Sequence, residues 1–262
     1  MVDRSARPGR CVAIVQARMG SSRLRGKTLA EIEGKPLLEH VVDRALASAW
    51  VDEVMLATTV DHDDDSIEQF CTDNKLRCFR GSVDDVLDRY YQAATIARAE
   101  HIVRVTADDP FKDPEIIDLV AAAYFEDPSA DYVSNAIDPT FPDGLDVEVV
   151  SRAALAIAWK EARLASEREH VTPFIWKRPE RFRIISVKYS RDLSDHRWTL
   201  DYPEDLAFTR AVYHHLYHGQ VFHMRDVLAL LDEHPEIAKI NAGHVKNEGY
   251  TQSLEEDSRG NG

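Results

Sequence analysis

Four cations crowd into fourteen residues near the start of the chain, Gln16 to Leu29 (QARMGSSRLRGKTL): Arg18, Arg23, Arg25 and Lys27, with no acid among them. The stretch ends in Gly26-Lys27-Thr28, the residue types that close a P-loop. A P-loop requires four residues between its first glycine and the Gly-Lys pair, so that backbone N–H groups wrap one phosphate. Here five residues separate Gly20 from Gly26, and Arg23 and Arg25 put long cations where a P-loop works through backbone donors. The chemistry indicated is polyphosphate binding by a different loop. Two acidic stretches could complete such a site. Thr106-Ala107-Asp108-Asp109-Pro110 follows an apolar run, and one of its carboxylates can hold a hard cation bridging phosphates or cap the helix that begins near Pro114. Asp201 in RWTLDYPEDL ends a second short run before Pro203, where it reads either as a helix cap or, paired with Asp108, as a metal carboxylate.

The elements that must position these residues follow from periodicity. Residues 11 to 17 (CVAIVQA) form a compact apolar run with β-branched residues, a buried strand leading directly into the cationic loop. Pro36 can start a helix with Leu38, Val41, Val42 and Ala45 on one stripe. The alternation continues with a strand at Glu53 to Thr58, a helix near Asp63 to Asn74, a strand at Leu76 to Phe79, and a helix capped by Ser82. A strand at His101 to Thr106, a helix from Pro114 to Phe125 and a strand at Asp131 to Ser134 complete a doubly wound half. In such sheets ligands sit outside the carboxyl ends of the strands, so the loops after residues 17, 58, 106 and 134 should share one crevice. A single domain over 11–240 is expected, with a nucleotide-binding half at 11–134 and an acceptor half at 135–240. The second half holds two helical segments, a strand near Phe182 to Val187, a short strand ending at Asp201, and helices from Pro203 and Met224. Residues 1–10 and 245–262 have few apolar anchors and are expected to be flexible tails.

The whole chain sets limits on function. Its 262 residues can bury a sizeable core, and 44% apolar with 30% charged residues is ordinary globular composition. A formal charge of -14 repels nucleic-acid backbones, so a bound polyanion must sit in a local cationic site, and no nucleic-acid partner is expected. No apolar run is long enough to span a bilayer and no signal-peptide pattern is present, and Cys11, Cys71 and Cys78 form no C-x-x-C pair, which fits a reducing cytoplasm with no membrane attachment. His214, His215, His218 and His223 invite a metal reading, but no H-E-x-x-H pattern exists and surface histidines are the better account. Asn135, Asp143, Asp146, Glu148, His170 and Arg197 offer the directional hydrogen bonds a polyol requires, against the plainer reading of PDGLDVEV as a turn with solvated acids.

Taken in order, IVQARMGSSRLRGKTL, GKPLLEHVVDR, FRGSVDDVLDRYYQAA, IVRVTADDP, DYVSN, PDGLDVEVV, REHVTPFI and RWTLDYPEDL make the chain resemble the cytidylyltransferases of the spore coat polysaccharide biosynthesis type, from about Cys11 to Leu231. These are relatives of the enzymes that make CMP-activated 3-deoxy-octulosonate and sialic acids. The resemblance implies an α/β, Rossmann-like fold of the glycosyltransferase-A type with a mostly parallel mixed sheet. It also implies a homodimer that binds CTP and Mg²⁺ and transfers CMP to a sugar or sugar-acid acceptor with release of pyrophosphate. By that resemblance Arg18 and Lys27 hold the triphosphate, Gly20 and Ser21 allow close backbone approach, and Ala17 and Arg23 belong to the same loop. Asp108 and Asp201 are the implied metal ligands, and base choice falls to the backbone near Ala57 and Thr58. Arg25 stands where relatives often have proline, and Asp109 where relatives vary. Two rivals are a glycosyltransferase using a nucleotide-sugar, which usually carries an Asp-x-Asp motif, and a non-catalytic nucleotide-binding module.

Overall fold

The computed structural model describes residues 9–21, 23–244 and 248–260. In chain order, β1 (Cys11–Gln16) enters the cationic loop, which closes in a 3₁₀ turn at Lys27–Leu29, and β2 (Glu31–Ile32) pairs with β3 (Lys35–Pro36) in a small hairpin. Next come α1 (Leu37–Leu46), β4 (Glu53–Thr59), α2 (Asp65–Asp73), β5 (Arg77–Gly81), α3 (Val86–Ala97), β6 (His101–Thr106), α4 (Pro114–Glu126) and β7 (Tyr132–Ser134). The second half supplies β8 (Glu148–Ser151), α5 (Arg152–Glu161), α6 (Ala165–His170), α7 (Pro173–Trp176), β9 (Ile184–Ser186), α8 (Pro203–Leu216), α9 (Met224–Glu233), α10 (Pro235–Ala238) and α11 (Glu248–Gly260). Among the described residues no helix is long and apolar enough to cross a membrane.

Seven strands form one sheet in the order β5-β4-β1-β6-β8-β7-β9. Every pairing is parallel except those of β8, which runs against both β6 and β7. β1 shows why the sheet is buried on both sides: Cys11, Ala13 and Val15 pack into one core with α1, α4, α8 and α9, while Val12 and Ile14 pack into another with α3, α5 and α7. In register, Gln16 stands opposite both Ala57 and Thr106. The carboxyl ends of β4, β1 and β6 are therefore level, and the loops after them leave the same edge.

Several boundaries differ from expectation, each for a local reason. The Asp85 side chain, not Ser82, accepts the Asp88 N–H that opens α3, and Ser82 takes the N–H of Asp85 one step earlier. Neither Asp108 nor Asp109 caps α4, because Asp113 accepts the Glu115 N–H at 2.9 Å. Asp201 does not cap α8 either; Asp205, inside the first turn, accepts the N–H groups of Asp201 and Tyr202 at 2.9 Å each. The run before Asp201 makes one isolated bridge, Asp143 with Arg197, in place of a strand. Residues Glu248–Gly260, expected to be part of a flexible tail, form α11, whose Ser253 bonds Glu169 (2.6 Å) and His170 (2.9 Å) at the end of α6. Low apolar content hid this helix, because polar contacts to α6 and the single Tyr250 ring against His170 and Trp176 hold it. Residues 1–8, 245–247 and 261–262 of the expected tails lie outside the described residues.

Gly144 (φ +101) shows how tightly the second half is seated. A Cβ there would stand 2.7 Å from the Thr199 N and 2.8 Å from the Trp198 carbonyl carbon. Backbone cannot yield as a side chain would, and the left-handed φ adds strain for any other residue. Gly144→Ala should lower stability by about 3 kcal/mol in denaturant titrations. A loss within the noise would show that this close approach is not required.

Candidate active site

Lys27 is the centre of the site. Its Nζ donates to Asp108 Oδ2 at 2.9 Å, to Asp201 Oδ1 at 3.0 Å and to the Leu200 carbonyl at 2.7 Å. Three segments remote in sequence meet there: the turn after Gly26, the loop after β6 and the approach to α8. Gly26 adopts a left-handed φ of 76°, which folds the loop back so that its N–H reaches the Met19 carbonyl at 3.1 Å. Burial opposes charge on Lys27, but the two carboxylates outweigh it and hold the ammonium above its usual pKa. Burial likewise works against the Asp108 carboxylate, and the Lys27 charge overcomes this and draws its pKa down to about 2. Asp201 also receives Arg23 (2.7 Å) and Arg197 (3.1 Å). Two hard carboxylates from different loops thus converge on one cation. That donor set fits a divalent metal, with the Lys27 ammonium standing where such a charge would be shared.

Two cavities open from this centre. One, of about 260 Å³, is lined by Gln16, Ala17, Arg18, Ser21, Lys27, Val86 and Arg89 among others. The second, of about 460 Å³, runs over Arg104, Tyr132, Asp143, Asp146, Glu148, Trp176, Arg197 and Tyr250. Both include Arg23, Thr106, Asp108, His170, Asp201 and Gly249, so they join at Asp108 and Asp201. A long ligand in the first would end beside a polar ligand in the second.

The larger cavity has a wired floor. Arg104 pairs with Glu148, which also accepts the hydroxyls of Tyr132 (2.8 Å) and Thr172 (2.5 Å). Those contacts overcome burial and keep the Glu148 pKa below its usual value. Lys112 Nζ donates to Asp109 at 2.8 Å and to the Gly144 and Asp146 carbonyls, tying the loop after β6 to residues 144–146. Asp109 is thereby turned away from Lys27. The Asp146 carboxyl is different: burial first, then Asp109, Asp143 and Glu148 against the opposing Lys112, push its pKa up to about 7.

The structure brings Ala17, Arg18, Ser21, Arg23, Lys27, Asp108, Asp143, Asp146, Glu148, His170, Arg197 and Asp201 to the cavities. Gly20 is exposed on the loop outside both. Ala57 and Thr58 are fully buried, and the Ala57 carbonyl accepts the Ala17 N–H at 3.2 Å, so they support the loop from within the sheet and face neither cavity. Asn135 is also fully buried and lines neither: its side chain donates to the Leu145 carbonyl (3.0 Å) and accepts the Val147 N–H (2.7 Å), stapling the segment that leads into β8. Arg25 pairs with Asp63 at 2.5 Å on the surface. His214 lies beside Glu33, and His223 beside Asp113, whose carboxylate is already engaged by the Glu115 and Met224 N–H groups. Arg89, Arg104, Glu248 and Tyr250 line the cavities without having been singled out. An arginine inside the apolar run of β6 was a readable signal for Arg104; nothing in the sequence marked Glu248 or Tyr250.

A family model described as cytidylyltransferase matches residues 12–249. The chain is 33% identical over 233 residues to a spore coat polysaccharide biosynthesis protein of Bacillus subtilis, covering 86% of this chain and 95% of that one. It is similar to the solved structure of a cytidylyltransferase from Leptospira borgpetersenii, with a TM-score of 0.84 and 28% identity over 91% of this chain and 100% of that one. A CMP:2-keto-3-deoxy-manno-octonic acid synthetase complexed with CTP, at a TM-score of 0.60 and 19% identity over 78% of this chain and 98% of that one, shares the fold.

The Asp146 environment makes a pH prediction. Its folded pKa, about 7, lies above the ordinary 3.8, so the native state binds the extra proton and stability falls as pH rises through that window. Asp146→Asn removes the penalty. Its melting temperature relative to the wild type should therefore rise between pH 5 and pH 8, with the gain levelling off above about pH 7; a difference independent of pH would contradict the raised pKa.

Proposed function

This chain belongs to the cytidylyltransferase family of CTP-dependent nucleotidyltransferases, and on that premise we propose that it joins CMP to a hydroxyl of a sugar or sugar acid in polysaccharide synthesis, at the junction of the two cavities around Lys27. The convergence of Asp108 and Asp201 on Lys27 is the observation that carries this reading. CTP occupies the smaller cavity and the acceptor the larger. The acceptor oxygen bonds to the α-phosphorus as the bond from that phosphorus to the β-phosphate oxygen breaks, and pyrophosphate leaves with the electron pair while the hydroxyl passes its proton to solvent water. Asp108 and Asp201 would hold a divalent cation such as Mg²⁺, which would supply neutralisation of phosphate charge.

The chain's own residues do the rest by position and charge. Asp108, with its low pKa, is ionised across the physiological range. Lys27 keeps its proton, and its three N–H donors are taken by Asp108, Asp201 and the Leu200 carbonyl, so it meets phosphate oxygens by handing over its carboxylate bonds while the Leu200 carbonyl holds its tip. Arg18 is exposed at the cavity mouth and makes no side-chain hydrogen bond among the described residues, leaving all its donors for phosphate. Asp143, Asp146 and His170 offer hydrogen bonds to acceptor hydroxyls. Asp109, turned to Lys112, does not give the paired carboxylates on one cation that the glycosyltransferase reading needs. A homodimer working in the cytoplasm is part of the same proposal.

Lys27→Ala should reduce pyrophosphate release by about 10²- to 10³-fold. A rate near that of the wild type would remove Lys27 from the mechanism. Asp108→Asn should uncouple CTP binding from Mg²⁺ in calorimetry, and an unchanged metal dependence would refute its role as a ligand.

A further inference from the structure

Arg89, on α3, is a buried cation that no ion pair satisfies among the described residues. It is 2% exposed and lines the smaller cavity. Its Nη1 donates to the carbonyls of Ser82 and Val83, which pins the turn between β5 and α3. Its Nε is enclosed and has no hydrogen-bond partner. The two bonds from Nη1 are the side-chain hydrogen bonds it makes among the described residues, so Nη2 is equally unused. Arg104 and Arg197, which also face the cavities, each hold a carboxylate. Burial lowers the pKa of Arg89, and Arg18 in the same cavity repels it. A buried guanidinium with two idle donors is costly unless a ligand completes it. The stem is held in place, since a Cβ on Gly81 would lie 3.0 Å from Arg89 Cγ.

With Nε enclosed, Nη2 is left to serve a ligand, and its two N–H groups can be shared between two adjacent acceptors. Cytosine presents such a pair on one edge, the O2 carbonyl beside the unprotonated N3, whereas uracil carries an N–H at that ring position. Val86, one turn earlier on α3, lines the same cavity and supplies an apolar surface suited to a flat ring. Arg18, Ser21 and Lys27 lie on the phosphate loop. We propose that Arg89 reads the base of the bound nucleotide, its Nη2, the idle nitrogen that is not enclosed, donating to the O2/N3 edge of cytosine. The assignment rests on the CTP-binding reading above and replaces Ala57 and Thr58 as the origin of base choice.

Calorimetric titration of CTP, UTP, 3-deaza-CTP (a C–H in place of N3) and inorganic triphosphate, each with Mg²⁺, tests it in the wild type, R89K and R89M. The wild type should bind CTP about 100-fold tighter than UTP and about 10-fold tighter than 3-deaza-CTP. In both variants the three nucleotides should converge to within about 3-fold through loss of CTP affinity, with inorganic triphosphate changed by less than about 2-fold. Variants that weaken CTP, UTP and triphosphate alike would make Arg89 a phosphate or packing residue and overturn the proposal. Equal wild-type affinity for CTP and 3-deaza-CTP would overturn it without any substitution, while leaving CTP binding intact. A wild type that binds no nucleoside triphosphate would overturn both this assignment and the function it rests on.

Discussion

An ammonium held between two carboxylates from different loops organises this protein. Lys27 can stay charged at 8% exposure because Asp108 and Asp201 surround it, and Lys27 in turn stands between the two carboxylates and offsets their repulsion. Each segment is locked separately. Gly26 folds the cationic turn, the Leu200 N–H donates to the Asp108 carbonyl at 2.8 Å, and Asp205 holds Asp201 and Tyr202 by their backbone. Take away any of these and one charge is left buried without its partner. The site is thus preorganised by electrostatic balance, with Arg23 and Arg197 closing the outer side of Asp201.

The sheet makes that balance possible. Parallel pairing of β4, β1 and β6 in level register brings their loops to one edge, and the single reversed strand, β8, carries Glu148 back beside Arg104. A parallel β8 would leave from the opposite edge and take residues 143–148 with it. The reversal therefore places the acid-rich loop against the phosphate-side centre, and Lys112 welds the two by reaching carbonyls 32 and 34 residues further along. That weld explains why the second carboxylate of Asp108-Asp109 is engaged by Lys112 while the first meets Lys27.

The larger cavity is crowded with carboxylates whose charges are unequally compensated. Glu148 has three partners and a depressed pKa, whereas Asp146 has company of its own sign and a raised one. Two acids two residues apart thus titrate in opposite directions, because one side chain meets Arg104 and two hydroxyls while the other faces Asp109 and Asp143. α11 completes the wall: Glu248 reaches Arg23 at 3.1 Å and Tyr250 lines the cavity. It is anchored to α6 by polar bonds through Ser253 and Asp257 and by the Tyr250 ring against His170.

Much was legible in the residues alone. The apolar run of β1, the glycine- and arginine-rich loop after it and the alternation of strands and helices set the doubly wound half, because both faces of a parallel strand must be buried and the pattern shows it. Spacing also excluded a P-loop, and the resemblance to cytidylyltransferases singled out Lys27, Asp108 and Asp201. What the residues could not decide was which polar groups face the cavity and which serve the framework. Asn135 and Asp146 look alike in a motif, but one staples two backbone segments and the other lines the larger cavity. Asp108 and Asp109 are neighbours, but Lys112 claims one and Lys27 the other. Arg89 lies in an ordinary amphipathic helix, and its idle donors exist only because the turn after β5 takes up its third nitrogen. Such assignments depend on distances of about 3 Å between residues tens to hundreds of positions apart, and those distances are created by packing of the sheet, not by any local preference of the chain.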